Sequence, residues 1–207
     1  MPSKPAMRSH ETGWRMLDEF LAAPRRLARA IRRVPERLLH PARHRQVHRS
    51  IHSRPRPRRV LVVCQGNICR SPFAGLRLQE LVAPLGVVVE SAGFIGAGRP
   101  SPAEGIEAGR RYGIDLTAHR ARVVTAQLAS AADLIVVMDA RQAAAIRGML
   151  TTGAPVVVLG DCDPQFAGTR AIANPVNQPV EAFLESYARI DRCVHQLAAM
   201  LQRGAAS

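Results

Sequence analysis

The sequence predicts an α/β fold: one three-layer domain on a four-stranded parallel sheet over residues 60–207, preceded by a basic, partly helical extension at 1–59. Three observations predict it. Short, fully apolar runs alternate with stretches of helical periodicity, as a parallel sheet covered on both faces requires. Glycine and proline fall at the joints. The charge also breaks at one point. Residues 1–59 hold 16 Lys and Arg against 4 Asp and Glu, so +12 of the net +13, and the remaining 148 residues carry +1. A body of that length can bury one good core.

In the extension, Trp14, Leu17 and Leu21 fall at i, i+3, i+7 with Phe20 beside them. Leu27, Ile31 and Val34 then repeat at i, i+4, i+7, with Arg25, Arg26, Arg29, Arg32 and Arg33 on the other sides. Pro24 suits a helix start and Pro35 limits its end. Two short amphipathic helices are predicted. From Pro41 to Arg59 the periodicity gives way to Arg, His and Pro, and Arg54–Arg58 reads as an extended, solvated linker.

Val60–Val63 is a continuous apolar run, the mark of a buried parallel strand. Ser71-Pro72 opens a helix through Phe73, Leu76, Leu78, Leu81 and Val82. Val87–Glu90 is a second strand. Ser101-Pro102 reads as an N-cap with proline at the first helical position, and Gly113 as that helix's stop. Leu134–Met138, Asp139–Leu150 and Val156–Leu159 follow as strand, helix and strand. A long helix closes the chain from Pro179, with Phe183, Tyr187, Ile190, Val194, Leu197 and Leu201 spaced by three and four.

Composition excludes several classes. No run approaches the roughly 20 apolar residues of a membrane span, and Arg15, Asp18 and Glu19 interrupt the early apolar stretch that a secretion signal would need. The four Cys, all in the body, are too few for a disulfide scaffold, so a reducing, cytoplasmic setting is expected. Gly-x4-Gly-Lys is absent, which excludes a nucleotide P-loop. Cys64 and Cys69 have no second ligand pair spaced to complete a zinc site, so no metal is expected.

The chemistry concentrates in Val63-Cys64-Gln65-Gly66-Asn67-Ile68-Cys69-Arg70-Ser71-Pro72, which joins the first strand to a helix. Ligands bind at the carboxyl ends of strands in such sheets, and helix N-termini attract anions. A cysteine opening the loop faces converging donors and positive potential, the setting of a thiolate nucleophile. Arg70 can grip two oxygens of a tetrahedral anion. Gly66 lets the backbone approach closely, and Asn67 tolerates a left-handed conformation. Ser71 can cap the helix and donate to the Cys64 sulfur.

This Cys-x5-Arg-Ser loop resembles the fingerprint of the low-molecular-weight protein tyrosine phosphatase family, close to V-C-x-G-N-x-C-R-S-P. Ser91-Ala-Gly93, Asp115–Arg122 and Ala132–Asp139 are similar to further family segments, in order, over residues 60–203. The resemblance implies a phosphoric monoester hydrolase without metal or organic cofactor. Cys64 would be the nucleophile of a cysteinyl-phosphate route and Arg70 the phosphate grip. The backbone of Gln65, Gly66, Asn67, Ile68, Cys69, Arg70 and Ser71 would cradle the phosphoryl oxygens. Asn67, Ser71, Ser91 and His119 would hold the loop by hydrogen bonds. Phosphotyrosine protein is the leading substrate, with small aryl or acyl phosphates beside it.

One position departs from the family, which places an Asp-Pro general acid before the last helix. Here Asn174-Pro175 stands in that place. Asn has no proton to give at neutral pH, and positioned proton transfer is worth about 10²–10⁴-fold. Slow hydrolysis is therefore expected. The alternatives are a phosphate-binding pseudoenzyme that traps a phosphorylated partner, or substitution by Asp161 or Asp163, which read more simply as a turn and helix cap. Arsenate reductase fits less well, because Cys162 and Cys193 lie 31 positions apart and read as core residues. Val176 stands where an aromatic residue is expected, which leaves Phe94 as the candidate wall for a substrate ring. Cys69 reads equally as a packing residue or as a disulfide partner shielding Cys64 under peroxide.

The extension pairs an apolar stripe with five arginines, and Trp14 and Phe20 can anchor at an interface. It reads as a solvated basic tail or as a surface for anionic lipid at the inner membrane face or for an acidic protein. Between Arg25 and Arg59 no aromatic residue offers a base a stacking platform, which argues against nucleic acid.

Overall fold

The computed structural model describes residues 36–203. The two helices expected before Pro35 lie outside the described residues. The described chain runs α1 (residues 36–52), β1 (Arg59–Cys64), α2 (Arg70–Val82), β2 (Val88–Gly93), α3 (Ala103–Arg110), α4 (Ala126–Ser130), β3 (Leu134–Val137), α5 (Ala140–Met149), β4 (Val156–Val158) and α6 (Val180–Arg203). Short 3₁₀ turns follow α2 and β4. No helix among the described residues is long and apolar enough to cross a membrane.

The sheet is parallel with order β2-β1-β3-β4. Side chains alternate across a strand, so β1 feeds two cores. Val60, Val62 and Cys64 join the cluster containing Phe73, Leu78, Tyr187 and Leu197 from α2 and α6. Leu61 and Val63 join the cluster containing Ala129, Ala143 and Ile146 from α4 and α5. The result is three layers. Phe73 stacks on Tyr187 with ring centroids 4.0 Å apart, and Phe183 meets Tyr187 edge-on at 6.1 Å, pairs worth about 0.5–1.5 kcal/mol beyond their burial. Cys162 and Cys193 are buried in the first core.

Three sequence expectations change. Residues 36–52 form a helix, which overturns the expected loss of regular structure from Pro41 onward over its first twelve residues. Its inward face is His40, His44, Val47 and Ile51, spaced i, i+4, i+7, i+11. Val47 and Ile51 enter the core, whereas the His40 and His44 rings donate to the carbonyls of Asp163 (2.9 Å) and Asp161 (3.1 Å). Two histidines on the stripe hid it from a hydrophobic count. The second strand extends through Ser91-Ala-Gly93, because β2 pairs with β1 along its whole length to Cys64↔Gly93. Ser101 does not cap α3: Pro102 holds the N-cap position without a side-chain bond, and the buried Ser101 Oγ makes no hydrogen bond among the described residues. The short α4, capped by the Thr125 hydroxyl on the Leu128 N–H, is an addition that its five residues made illegible.

Candidate active site

β1 delivers Cys64 to the carboxyl edge of the sheet and α2 starts at Arg70, so five residues, 65–69, join strand end to helix start. The turn depends on Asn67, which adopts φ +49°, a left-handed conformation that Asn tolerates best among residues with a side chain. Asn67 is fully buried, and both its side-chain polar atoms and its carbonyl are hydrogen-bonded. Its Nδ2 donates to Ser71 Oγ (2.9 Å) and Ser91 Oγ (3.0 Å). Its Oδ1 accepts from the Arg122 N–H (2.9 Å), and its carbonyl accepts from His119 Nε2 (2.6 Å). Burial lowers the His119 pKa below the ordinary imidazole value, against the opposing pull of that carbonyl bond, so the ring is a neutral donor. Gly93 completes the seat. A Cβ there would come within 2.6 Å of the Asn67 nitrogen, closer than backbone packing allows.

The network ends on the sulfur. Ser71 Oγ, itself receiving the Asn67 amide, lies 3.1 Å from Cys64 Sγ and 3.3 Å from the Ala92 carbonyl, so its one proton serves either. Arg70 is 4% exposed. Its Nη1 donates to the Ile172 carbonyl (3.1 Å), and its buried Nε has no partner among the described residues. No protein group among the described residues accepts from the backbone N–H of residues 65–69. Burial, reinforced by Cys64, pushes the Cys69 thiol up to about 12, so it stays protonated. The Tyr187 hydroxyl donates to the Cys69 carbonyl (3.3 Å) and ties the loop to α6.

Cys64, Gln65, Gly66, Ile68, Cys69 and Arg70 line a cleft of about 170 Å³, closed by Ile95, Arg99, Asn174 and Val176. The cleft thus gathers the loop and Asn174, and Asn67, Ser71, Ser91 and His119 lie behind the loop in its hydrogen-bond network. Phe94 is not in the lining. It packs on the second core and donates its N–H to the Gln65 carbonyl (2.8 Å). Ile95, Ile68 and Val176 are the apolar walls, and Arg99 is the added cation. Sequence spacing missed Ile95 and Arg99 because Gly96 and Gly98, both at positive φ, decide which side of the turn faces inward. The Ile172 carbonyl was equally invisible, since a backbone partner leaves no trace in residue type.

Asp161 and Asp163 line no part of this cleft. Asp163 is fully buried and accepts from Arg189 Nε (3.0 Å), Arg192 Nε (2.8 Å) and Nη2 (3.0 Å), and the Gln165 N–H (3.2 Å). Burial alone would raise its pKa, but those bonds outweigh it and hold the carboxyl below the usual range. Asp161 pairs with Arg170. Arg189 also donates to the Ala171 carbonyl (2.8 Å), so this ionic cluster fixes the strap that leads to Ile172 and Asn174.

The family model for low molecular weight phosphotyrosine protein phosphatase matches residues 59–207. A probable low molecular weight protein-tyrosine-phosphatase, EpsP of Ralstonia nicotianae, is 43% identical over 139 residues, covering 65% of this chain and 90% of that protein. Among solved structures, Vibrio vulnificus Wzb in complex with benzylphosphonate is 31% identical with TM-score 0.61, covering 68% of this chain and 97% of that one. The YwlE arginine phosphatase from Geobacillus stearothermophilus is 27% identical with TM-score 0.62, covering 71% and 94%. This chain belongs to the low molecular weight phosphotyrosine protein phosphatase family and is a phosphatase.

Proposed function

We propose that the protein hydrolyses phosphotyrosine through a cysteinyl-phosphate on Cys64, with turnover slowed by Asn174. The observation that carries this reading is the hydroxyl of Ser71 3.1 Å from the Cys64 sulfur, beside a buried Arg70 whose Nε is unpaired. Such a seat stabilises a thiolate and receives a dianion. The sulfur attacks phosphorus in line, the P–O bond to the tyrosyl oxygen breaks, and the negative charge of the departing oxygen must be neutralised by a proton. Arg70 and the N–H groups of the loop hold the equatorial oxygens throughout. A second displacement by water then cleaves the S–P bond, releasing phosphate and restoring the thiolate.

Asn174 reaches the cleft but cannot transfer a proton in either step. The leaving oxygen then takes its proton from solvent, and the attacking water loses its proton to solvent. Both steps slow, and substrates with good leaving groups suffer least. Aliphatic walls with Arg99 at the mouth give a phenyl ring less flat contact than aromatic walls would. The phosphotyrosine phosphatase relatives support phosphotyrosine, and one structural neighbour, an arginine phosphatase, adds phosphoarginine to the panel worth testing.

The test is a comparison of burst and steady-state rates on an aryl phosphate, with and without Asn174→Asp, followed by phosphate release from phosphotyrosine, phosphoserine and phosphoarginine peptides. A rate gain in the substituted protein and a preference for the phosphotyrosine peptide are expected. No gain refutes the role given to Asn174, and a preference for another peptide refutes the substrate.

A further inference from the structure

A groove of about 580 Å³ adjoins the Cys64 cleft and shares Ile68, Arg99 and Val176 with it. The cleft holds about 170 Å³, less than the roughly 300–1,000 Å³ of sites that enclose a whole small molecule. Whatever carries the phosphoryl group must therefore continue outside it, and the groove is the adjoining space. Pro100 and Pro102, ahead of α3, and Pro179, ahead of α6, stiffen its walls. Two charged residues line it, Arg99 and Glu104, and both are exposed. The Arg99 side chain folds back along the turn after β2. Its Nη1 lies 3.0 Å from where a Cβ on Gly96 would stand and 3.8 Å from where one on Gly66 would stand, so the cation rests against the Cys64 loop. Glu104, in the first turn of α3, lines the groove but not the cleft. No ion pair among the described residues includes Arg99 or Glu104. Both charges are open to a ligand, the cation nearer the sulfur and the anion farther out.

We propose that this groove holds the polypeptide flanking the phosphotyrosine, with Arg99 paired to an acidic side chain next to the phosphorylated residue and Glu104 to a basic side chain farther along. The inference rests on the phosphotyrosine reading above and names the class of peptide that the site selects. A small anion would gain Arg99 but meet Glu104. A chain that carries side chains of both signs in the right order satisfies the two, and the wrong order sets like charges together, which is how charge patterns discriminate between partners. Ile68 and Val176 continue from the cleft into the groove and give the peptide an apolar floor at the junction.

The test measures phosphate release by the full-length protein from phosphotyrosine peptides that carry Glu, Ala or Lys immediately before or immediately after the phosphotyrosine. On one of the two sides, Glu should raise kcat/KM about twofold to fivefold over Ala, the size of an exposed ion pair, and Lys should lower it. The change should fall in KM, as for an interaction made equally in the ground and transition states. Arg99→Glu should reverse the order, so that Lys becomes preferred. Glu104→Lys should keep the preference at the adjacent position and reverse the preference for a basic residue two or three positions farther along. Each variant is compared with itself across the peptides, so a change in its overall rate cancels. Equal rates for Glu, Ala and Lys on both sides, or an acid preference that survives Arg99→Glu, overturn the groove. Arg99→Glu slowing every peptide alike overturns it too, because Arg99 would then serve the phosphoryl group alone. If an aryl phosphate is turned over and none of the peptides is, the phosphotyrosine reading fails, and this inference with it.

Discussion

The two walls of the Cys64 cleft have been treated differently. On the loop side the groups proposed to capture a phosphoryl group are heavily secured: Asn67 makes four hydrogen bonds, Ser71 reaches the sulfur, and Arg70 is buried. On the strap side the scaffold is equally firm. Arg189 holds the Ala171 carbonyl, the Ile172 N–H donates to the Met138 carbonyl (2.9 Å), and Ser186 Oγ donates to the Ala173 carbonyl (3.1 Å). Yet the residue that this scaffold presents, Asn174, has no proton to transfer. Capture and proton delivery therefore rest on different sets of hydrogen bonds, which meet where Arg70 Nη1 touches the Ile172 carbonyl (3.1 Å) and at α6, which holds the loop through Tyr187 and the strap through Ser186 and Arg189.

That contrast can be broken at either wall. The largest expected effect is on the capture side: Cys64→Ser should abolish turnover, and Arg70→Lys, which keeps the charge but loses the fork, should lower kcat by about 10²–10³-fold. Steady-state assays on an aryl phosphate check both. Asn174→Asp comes next, raising kcat by up to about 10²–10⁴-fold, most for poor leaving groups and least for good ones. A uniform gain across leaving groups would contradict proton delivery as its cause.

Smaller effects report on the frame behind the loop. Gly93→Ala should cost about 1–3 kcal/mol in denaturant unfolding, since its new methyl meets the Asn67 backbone. His119→Gln should keep a donor for the Asn67 carbonyl and remove a titration. Burial depresses the His119 pKa, so the unfolded chain binds the proton more readily; its contribution is present above the ordinary imidazole value of about 6.5 and is lost as pH falls below it. The parent should therefore lose stability more steeply than His119→Gln on acidification through that window.

Much of this was legible because the relevant signals are local. Val60–Val63 announced a buried strand, and the Cys-x5-Arg spacing placed Cys64, the Asn67 turn and Arg70 within one loop between strand and helix. What stayed hidden depends on long-range contact. Ile95 and Arg99 enter the cleft through the path of a glycine turn, Arg70 takes a backbone carbonyl 102 residues away, and α1 docks with a half-polar stripe because His40 and His44 find carbonyls on the loop after β4. Asp161 and Asp163, near enough in sequence to suggest a replacement acid, prove to be held by arginines away from the cleft.

We propose that the Cys64 sulfur is the nucleophile, seated beside the Ser71 hydroxyl and the buried Arg70 to meet a tetrahedral dianion. Timed alkylation by iodoacetate at neutral pH, with site-resolved mass spectrometry, tests it directly. The account predicts that Cys64 reacts faster than free cysteine, that Cys69, Cys162 and Cys193 lag far behind, and that vanadate protects Cys64. Alkylation of Cys64 no faster than free cysteine and indifferent to vanadate would contradict it.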